Sequence, residues 1–508
     1  MWTLSRCDEL SRGWWRPGGG HGPAKELQMK RTLSMLAGAW ILSCGVATDV
    51  VAQSAPAAGP TFAKDVAPIL NKHCVSCHRP GEIGPMSFLS YETTRPWARS
   101  IKDKVVKREM PPWAADPAHS MKMGNDRSLK QAEIDTLVAW AGAGAPRGNP
   151  ADLPPAPTFT SGWQLGEPDF VFEQPVAWTV KPDAQEPYLY FYEKIPFSDD
   201  KFATSVEIRP SNFSVVHHSG VYIIDIPDGY TVKDGYLYDA EGKQVPPSVP
   251  MGKKATSGDG TPLAGADKII SYVPGRGYET YPAGYAKRVP AGKYVRWVMH
   301  YNPTGQPETD RSKLGLWWAK GPVRQEVLNL QAGDPVPGSG GRGLYFAQGK
   351  EVLYESDDTT GRRGKTPTIP PYIADFKMMG ITPVNEPITL YALTPHMHLR
   401  GRSMKWWVTY PDGREEVILD VPNFDFNWQI QYELAAPLKI PAGSKITNVA
   451  IYDNSINNKW NPAPEKEVYW SEQSWDEMYQ PTTQFSVDSQ DLTKPAKRPT
   501  NEQPRQRQ

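Results

Sequence analysis

The chain is short of cysteine: its 508 residues hold only four, Cys7, Cys44, Cys74 and Cys77. With so few thiols a disulfide scaffold is excluded, and the bulk of the chain must be held by burial of its core. Charge of one sign is also missing. Lys plus Arg equals Asp plus Glu at 56 each, so the formal net charge is zero. No basic stripe or long like-charge block is present, which argues against a nucleic-acid partner. An apolar run long enough to span a bilayer is absent, and so is any internal repeat of fixed period.

What is present at the N-terminus looks like an address. Lys30 and Arg31 precede a mostly apolar run, Leu33 to Ala47, and Val50-Val51-Ala52 has the form of a cleavage site. This is the pattern of a secretory signal beginning at Met29, with Met1–Gln28 as an extension. A rival reading takes Ile41-Leu42-Ser43-Cys44 as a lipobox, with Cys44 as a lipid anchor. Either way the expected location is periplasmic or otherwise exported.

The rest divides by pattern into residues 60–148, a linker at 149–161, and two larger blocks at 162–332 and 333–490. A tail at 491–508, almost without apolar residues, is expected to be disordered. In the first block Phe62, Val66, Ile69 and Leu70 share a helical face, and Ile134, Leu137, Val138 and Ala141 form a second stripe. Ser128 with Gln131 reads as a capping box. The two larger blocks carry strand-like runs at Val215–Ile224, Lys293–Tyr301, Ile388–Leu393, Ser403–Val408 and Ile446–Tyr452. The expected fold is therefore multidomain: a small all-α domain followed by two all-β, jelly-roll-like sandwiches.

Cys74-Val75-Ser76-Cys77-His78 is C-x-x-C-H, the attachment signature of c-type haem. The two thiols would add to the haem and His78 would ligate its iron. Met110, next to Pro111-Pro112, is the preferred second axial ligand; Met86, Met121, Met123 and His119 are the alternatives. A zinc reading would need a second C-x-x-C, and there is none.

Histidine carries the other signal. Five follow the linker: His217, His218, His300, His396 and His398. His396 and His398 are two apart, so on a strand they would leave one face together. His217 and His218 are adjacent, so sharing one ion requires the strand to end, twist or bulge there. Imidazole suits zinc, copper, iron and nickel. Met478, in Ser474-Trp475-Asp476-Glu477-Met478, adds a soft thioether that selects reduced copper. Trp406, Trp407, Trp428 and Trp475 are read mainly as packing residues.

The order HH, HY, HxHL-x-G, DEM resembles the copper type II, ascorbate-dependent monooxygenases, which include peptidylglycine α-hydroxylating and dopamine β-monooxygenases. The leading segment, with Arg108-Glu109-Met110-Pro111-Pro112-Trp113, resembles bacterial proteins that fuse a cytochrome c to such a core. The resemblance implies two copper ions on facing domains across a solvent-filled cleft. One is held by His217, His218 and His300 and stores an electron. The other, held by His396, His398 and Met478, is the catalytic, oxygen-binding site. It further implies one covalently bound haem c, molecular oxygen, an organic substrate that no residue identifies, and an external electron donor, either a small reductant or a redox protein. The chain departs from the pattern at Val298, where the family has Gln, and lacks the residues that grip a peptide carboxylate. Two other expectations fit the same ligands: a non-catalytic haem and copper redox protein, and a three-His zinc hydrolase.

Overall fold

A computed structural model describes residues 59–160, 162–183, 187–249, 253–254, 268–337, 344–354 and 366–494. The signal-peptide and Cys44 readings, and the tail from residue 495 on, lie outside the described residues; at the start of that tail Leu492 N donates to Arg324 O at 2.9 Å, so 491–494 are ordered. Gly59–Gln508 forms one compact unit.

Alternation of large apolar with polar residues builds the strands. In Gly401–Thr409 every second side chain from Met404 to Val408 is buried, including Trp406 at 0% exposure. That is the period of a pleated strand with one face in a core. Each of the five strand runs expected from the sequence has its counterpart: Val216–Asp225, Tyr294–Tyr301, Ile388–Thr394, Gly401–Thr409 and Ser444–Tyr452.

The strands form two pairs of sheets. In the first pair, a six-stranded sheet with Lys201–Arg209 and Lys313–Trp318 near its centre faces a five-stranded sheet containing Leu189–Lys194, Tyr294–Tyr301 and Val216–Asp225. Val206, Ile208, Leu314 and Leu316 from one meet Val221, Ile223, Val295 and Trp297 from the other in one core. In the second pair, a four-stranded sheet containing Ile388–Thr394 and Thr482–Val487 faces a six-stranded one built on Phe376–Val384, Ser444–Tyr452 and Gly401–Thr409. The division falls slightly earlier than residue 332, because Leu328–Gln331 pairs with Thr482–Val487 in the second sandwich.

The expected fold class must be corrected at its first member. Among the described residues there is no sizeable all-α cytochrome domain, and they are mainly β. The helices of the 60–148 block are short, the longest being Gln131–Gly142 with 12 residues. Pro80, Pro85, Pro111, Pro112 and Pro117 explain this, since each removes a backbone donor and interrupts a helix. The expected Ser128 cap is also displaced: the helix opens at Lys130, whose N–H donates to Glu133 at 2.8 Å.

Nor does this block stand apart. Its 113–125 stretch runs along the second sandwich. There Met121 N donates to Ile418 O (3.0 Å) and Gly124 N to Glu433 O (2.7 Å). Ala115 and Met123 enter the second core. Among the described residues no helix is long and apolar enough to cross a membrane.

Asn125 fastens this stretch with both ends of its amide, donating to Gln431 O at 2.8 Å and accepting from Glu433 N at 3.0 Å. Replacing Asn125 by Ala removes both bonds and leaves the Glu433 N–H without its acceptor, while Gln431 O keeps Arg276. Urea unfolding should show a loss of about 1–3 kcal/mol; an unchanged midpoint would mean that the stretch does not stabilise the sandwich.

Candidate metal centre

Five imidazoles meet where the two sandwiches join. The first group comes from neighbouring strands. His300, near the end of Tyr294–Tyr301, pairs with His218, but the next residue, Tyr301, pairs with Val216. His217 is therefore the extra residue of a β-bulge. The bulge resolves the conflict set by two adjacent histidines, turning both rings to one side. They stack at 3.9 Å between centroids, and His217 and His218 lie 5.3 and 5.7 Å from the His300 ring. One ligand nitrogen from each of the three lies within 4.8 Å of the others. Imidazoles at ~2.0–2.1 Å from one tetrahedral ion would stand about 3.4 Å apart, so small ring rotations complete the triad.

The second group is on a loop. Pro395 ends the strand Ile388–Thr394, so His396 and His398 are not on a strand face as expected. Their rings lie 5.2 Å apart and nearly perpendicular. Each has its Nδ1 occupied. His398 Nδ1 donates to Asp476 O at 3.2 Å, and His396 Nδ1 donates to Gln429 Oε1. The orientation of that amide is set by its Nε2, which donates to Phe426 O at 3.0 Å. Both partners are pure acceptors, so both rings turn Nε2 to the metal side.

The hydrogen bonding leaves these rings able to accept a metal. His217 Nδ1, both nitrogens of His218 and of His300, and His398 Nε2 are buried with no partner. Burial holds the His217 and His396 imidazoles down to about 4, and holds His218, His300 and His398 well below the ordinary value. All five are neutral at pH 7, the form that binds metals.

Met478 is brought to this centre by Glu477. That fully buried carboxylate accepts from His398 N (2.9 Å), Arg400 N (2.6 Å) and Met478 N (3.2 Å), clasping the HxH loop to the methionine loop. Burial raises its carboxyl to about 7 against the opposing pull of these donors. Arg400, 2% exposed, braces the same turn through Asn454 Oδ1 and Trp475 O.

The two groups are not separated by an open cleft. Phe426 lies 5.5 Å from the His218 ring and 6.0 Å from the His398 ring. Tyr188 stacks on His300 at 4.5 Å and on His398 at 6.3 Å. His218, His396 and Met478 line one chamber that is open to solvent on one side. Amide bridges close the joint: Gln473 accepts from Tyr188 N (3.1 Å) and donates to Ser248 O (2.9 Å), and Asn329 donates to Lys268 O (2.9 Å).

The C-x-x-C-H motif abuts the same wall. Cys74 caps the helix Ala67–His73, and both thiols are free. Burial pushes the Cys74 thiol up to about 12 and also raises Cys77, the opposite of an activated dithiol. His78 Nδ1 is buried without a partner, so two free thiols and an unsatisfied imidazole fit haem attachment. A Cβ on Gly275 would stand 3.0 Å from Cys77 Sγ, and the residues just before that turn, Ser271 to Val273, line the chamber.

The axial candidates separate. Met121 and Met123 pack on the second core, and His119 is exposed and bonded to Asp116 at 2.7 Å. Met86 packs on the helical core with Cys74, whereas Met110 is not among the residues of that core. His73 pairs with Glu133 at 3.1 Å. Of the tryptophans, Trp406 is core and Trp475 is 51% exposed; none of the four lines the chamber.

Tyr188, Phe426, Gln429 and Arg400 were not singled out from the sequence. Glu477 stands in the DEM motif and Arg400 in HxHL-x-G, so their neighbours could have flagged them. Tyr188 carries no local signal.

No protein-family model matches the chain, and no curated protein does. Solved structures align only loosely. A tandem carbohydrate-binding (CBM22) pair from Paenibacillus barcinonensis Xyn10C is 9% identical, covering 59% of this chain and 78% of that one, with TM-score 0.14. A Paenibacillus xanthan lyase is 10% identical over 66% and 28%, TM-score 0.17. An allantoicase is 8% identical over 55% and 81%, TM-score 0.14.

Glu477→Ala strands three buried N–H groups and should cost about 3–5 kcal/mol in thermal or urea unfolding; a loss below about 1 kcal/mol would remove the clasp. A second expectation concerns pH. A histidine depressed from 6.5 to about 4 binds fewer protons folded than unfolded, so stability falls as pH drops below 6.5. From pH 7 to 5 the metal-free protein should lose about 2 kcal/mol for each of His217 and His396. Double replacement by Gln should remove the share of that slope due to His217 and His396 and leave the share due to the other three imidazoles.

Proposed function

We propose that the protein is an exported copper-dependent monooxygenase that hydroxylates a C–H bond of an organic substrate. The observation that carries this reading is the shared chamber. His218 lines it on one side, with the buried His217 and His300 rings beside it, and His396 and the thioether of Met478 line it on the other, with His398 next to His396. Copper bound there would supply one-electron redox chemistry and activation of dioxygen.

The overall reaction joins substrate, O2, two electrons and two protons to give hydroxylated substrate and water. His217, His218 and His300 would hold one ion in an all-nitrogen set that suits either oxidation state. His396, His398 and Met478 would hold the other, the soft sulfur favouring the reduced state. Gln429 and the Asp476 carbonyl fix the ring tautomers, and Glu477 fixes the loop spacing. Tyr188 and Phe426 keep water out of the space between the groups, where a desolvated reaction is protected from side chemistry.

Cys74, Cys77 and His78 would carry one covalent haem c, with an external reductant or redox protein as the ultimate donor. Contact between the Gly275 turn and Cys77 supports that placement, because it sets the motif against the chamber wall.

The deciding experiment is metal analysis with electron spin resonance on protein matured in a periplasm equipped for cytochrome assembly. Wild type should hold two copper ions and one haem. Met478→Ala should disturb one copper signal and His300→Ala the other, each abolishing substrate-linked oxygen uptake. Stoichiometric zinc, with activity independent of oxygen and indifferent to Met478→Ala, would instead establish a three-His hydrolase. Two coppers without substrate-linked uptake across a broad screen would leave a redox carrier.

A further inference from the structure

The face of the five-stranded sheet that bears the triad continues past it. Side chains two apart on a strand share a face, so His300, Val298 and Arg296 follow one another along Tyr294–Tyr301. Register places His218, Gly220 and Tyr222 beside them on one flank, and Tyr190 beside Val298 on the other. The result is a strip with imidazoles at one end, a low floor at Val298 and Gly220, and Arg296 between tyrosines at the far end. Arg296 lies about 13 Å along the strand from His300. Gly220 keeps the floor low, because a Cβ there would meet the Tyr222 ring at 2.7 Å. All of these residues except His300 line the chamber, and so do His396 and Met478.

Arg296 is not saturated. Its side chain is 13% exposed, its Nε is buried without a partner, and its one acidic neighbour, Glu472, stands 3.8 Å away, beyond hydrogen-bond length. The guanidinium lies over the Tyr190 and Tyr222 rings at 5.6 and 5.2 Å. A desolvated guanidinium with free donors is a carboxylate receptor, and tyrosine walls accept a flat ring.

We infer that Arg296 anchors the carboxylate of a small aromatic acid, laid along the Val298–Gly220 floor with its other end beside the His396 and Met478 group. This deepens the monooxygenase reading by naming its substrate class, and it rests on that reading only for the chemistry, not for the binding.

The test is calorimetric titration with two probes of one shape and opposite charge, 4-hydroxyphenylacetate and tyramine, on metal-free and copper-loaded protein. The acid should bind both forms, and tyramine at least about tenfold more weakly. Arg296→Gln should weaken the acid about tenfold or more and erase the preference, while copper content and the melting curve stay as in wild type. Val298→Phe, which keeps the guanidinium but raises the floor, should weaken both probes. Equal or tighter binding of tyramine, no binding of either probe, or full affinity in a folded Arg296→Gln would overturn the inference. If Arg296→Gln fails to fold, the probe preference and Val298→Phe still decide. Copper stoichiometry is read separately, so a protein that binds the acid but takes up no copper when it is supplied would sink the monooxygenase reading and leave the anion subsite standing.

Discussion

A neutral imidazole taken out of water needs a partner for each ring nitrogen, and an unmade bond costs about 1–3 kcal/mol. The joint between the two sandwiches gathers five such rings, four of them buried, and six nitrogens of those four lack partners. Much else in the structure arranges itself around that burden. The bulge at His217 turns two adjacent rings to one side. Gln429 and the Asp476 carbonyl take up one nitrogen each on His396 and His398. The Glu477 carboxylate, itself buried at a cost, satisfies three backbone donors so that the loops carrying His398 and Met478 cannot drift apart. Strain of this size is kept in a fold where a ligand relieves it, which is why the cluster reads as a metal centre and not as core packing.

Local patterns made the strands and the ligands legible. Runs of β-branched and aromatic residues bounded by turn residues marked the five strands within one or two residues, because such side chains suit a pleated, buried surface. The adjacency of His217 and His218 forced an irregularity, and the bulge supplies it. The HxH pair was misread as a strand feature because Pro395 ends the strand one residue before His396. The helical block was misread more seriously. Apolar periodicity was real at Phe62–Leu70 and Ile134–Ala141, but the prolines between them cut the helices short. The 113–125 stretch bonds to the second sandwich, a partnership some 300 residues away that no window of sequence contains.

The same limit explains the missed wall of the site. Tyr188 and Phe426 touch the histidines from strands and loops far from them in sequence, and a tyrosine or phenylalanine in isolation reads as core. Gln473 ties Tyr188 to the methionine loop through one amide, a role visible only once both sandwiches are in place.

Neither sandwich holds a complete site. The first supplies the triad, the Val298–Gly220 floor and Arg296; the second supplies His396, His398, Met478 and the Phe426 ring. What makes them one chamber is the set of amide bridges across the joint, together with Gln484 donating to Glu279 at 2.8 Å and Arg276 reaching both Gln431 O and the Glu433 carboxylate. A solvent-filled cleft between facing domains would leave such groups to water. Here they are spent on each other, so the two imidazole groups can lie no farther apart than the ring-to-ring steps through Tyr188, 4.5 and 6.3 Å. Arg276 belongs to the turn whose Gly275 meets Cys77, and its guanidinium bonds the very strand, Tyr432–Ile440, that Asn125 fastens from the other side. The C-x-x-C-H segment, the first sandwich and the second are thus joined at one corner. Any change that loosens that corner acts on the thiols, the triad and the methionine loop together.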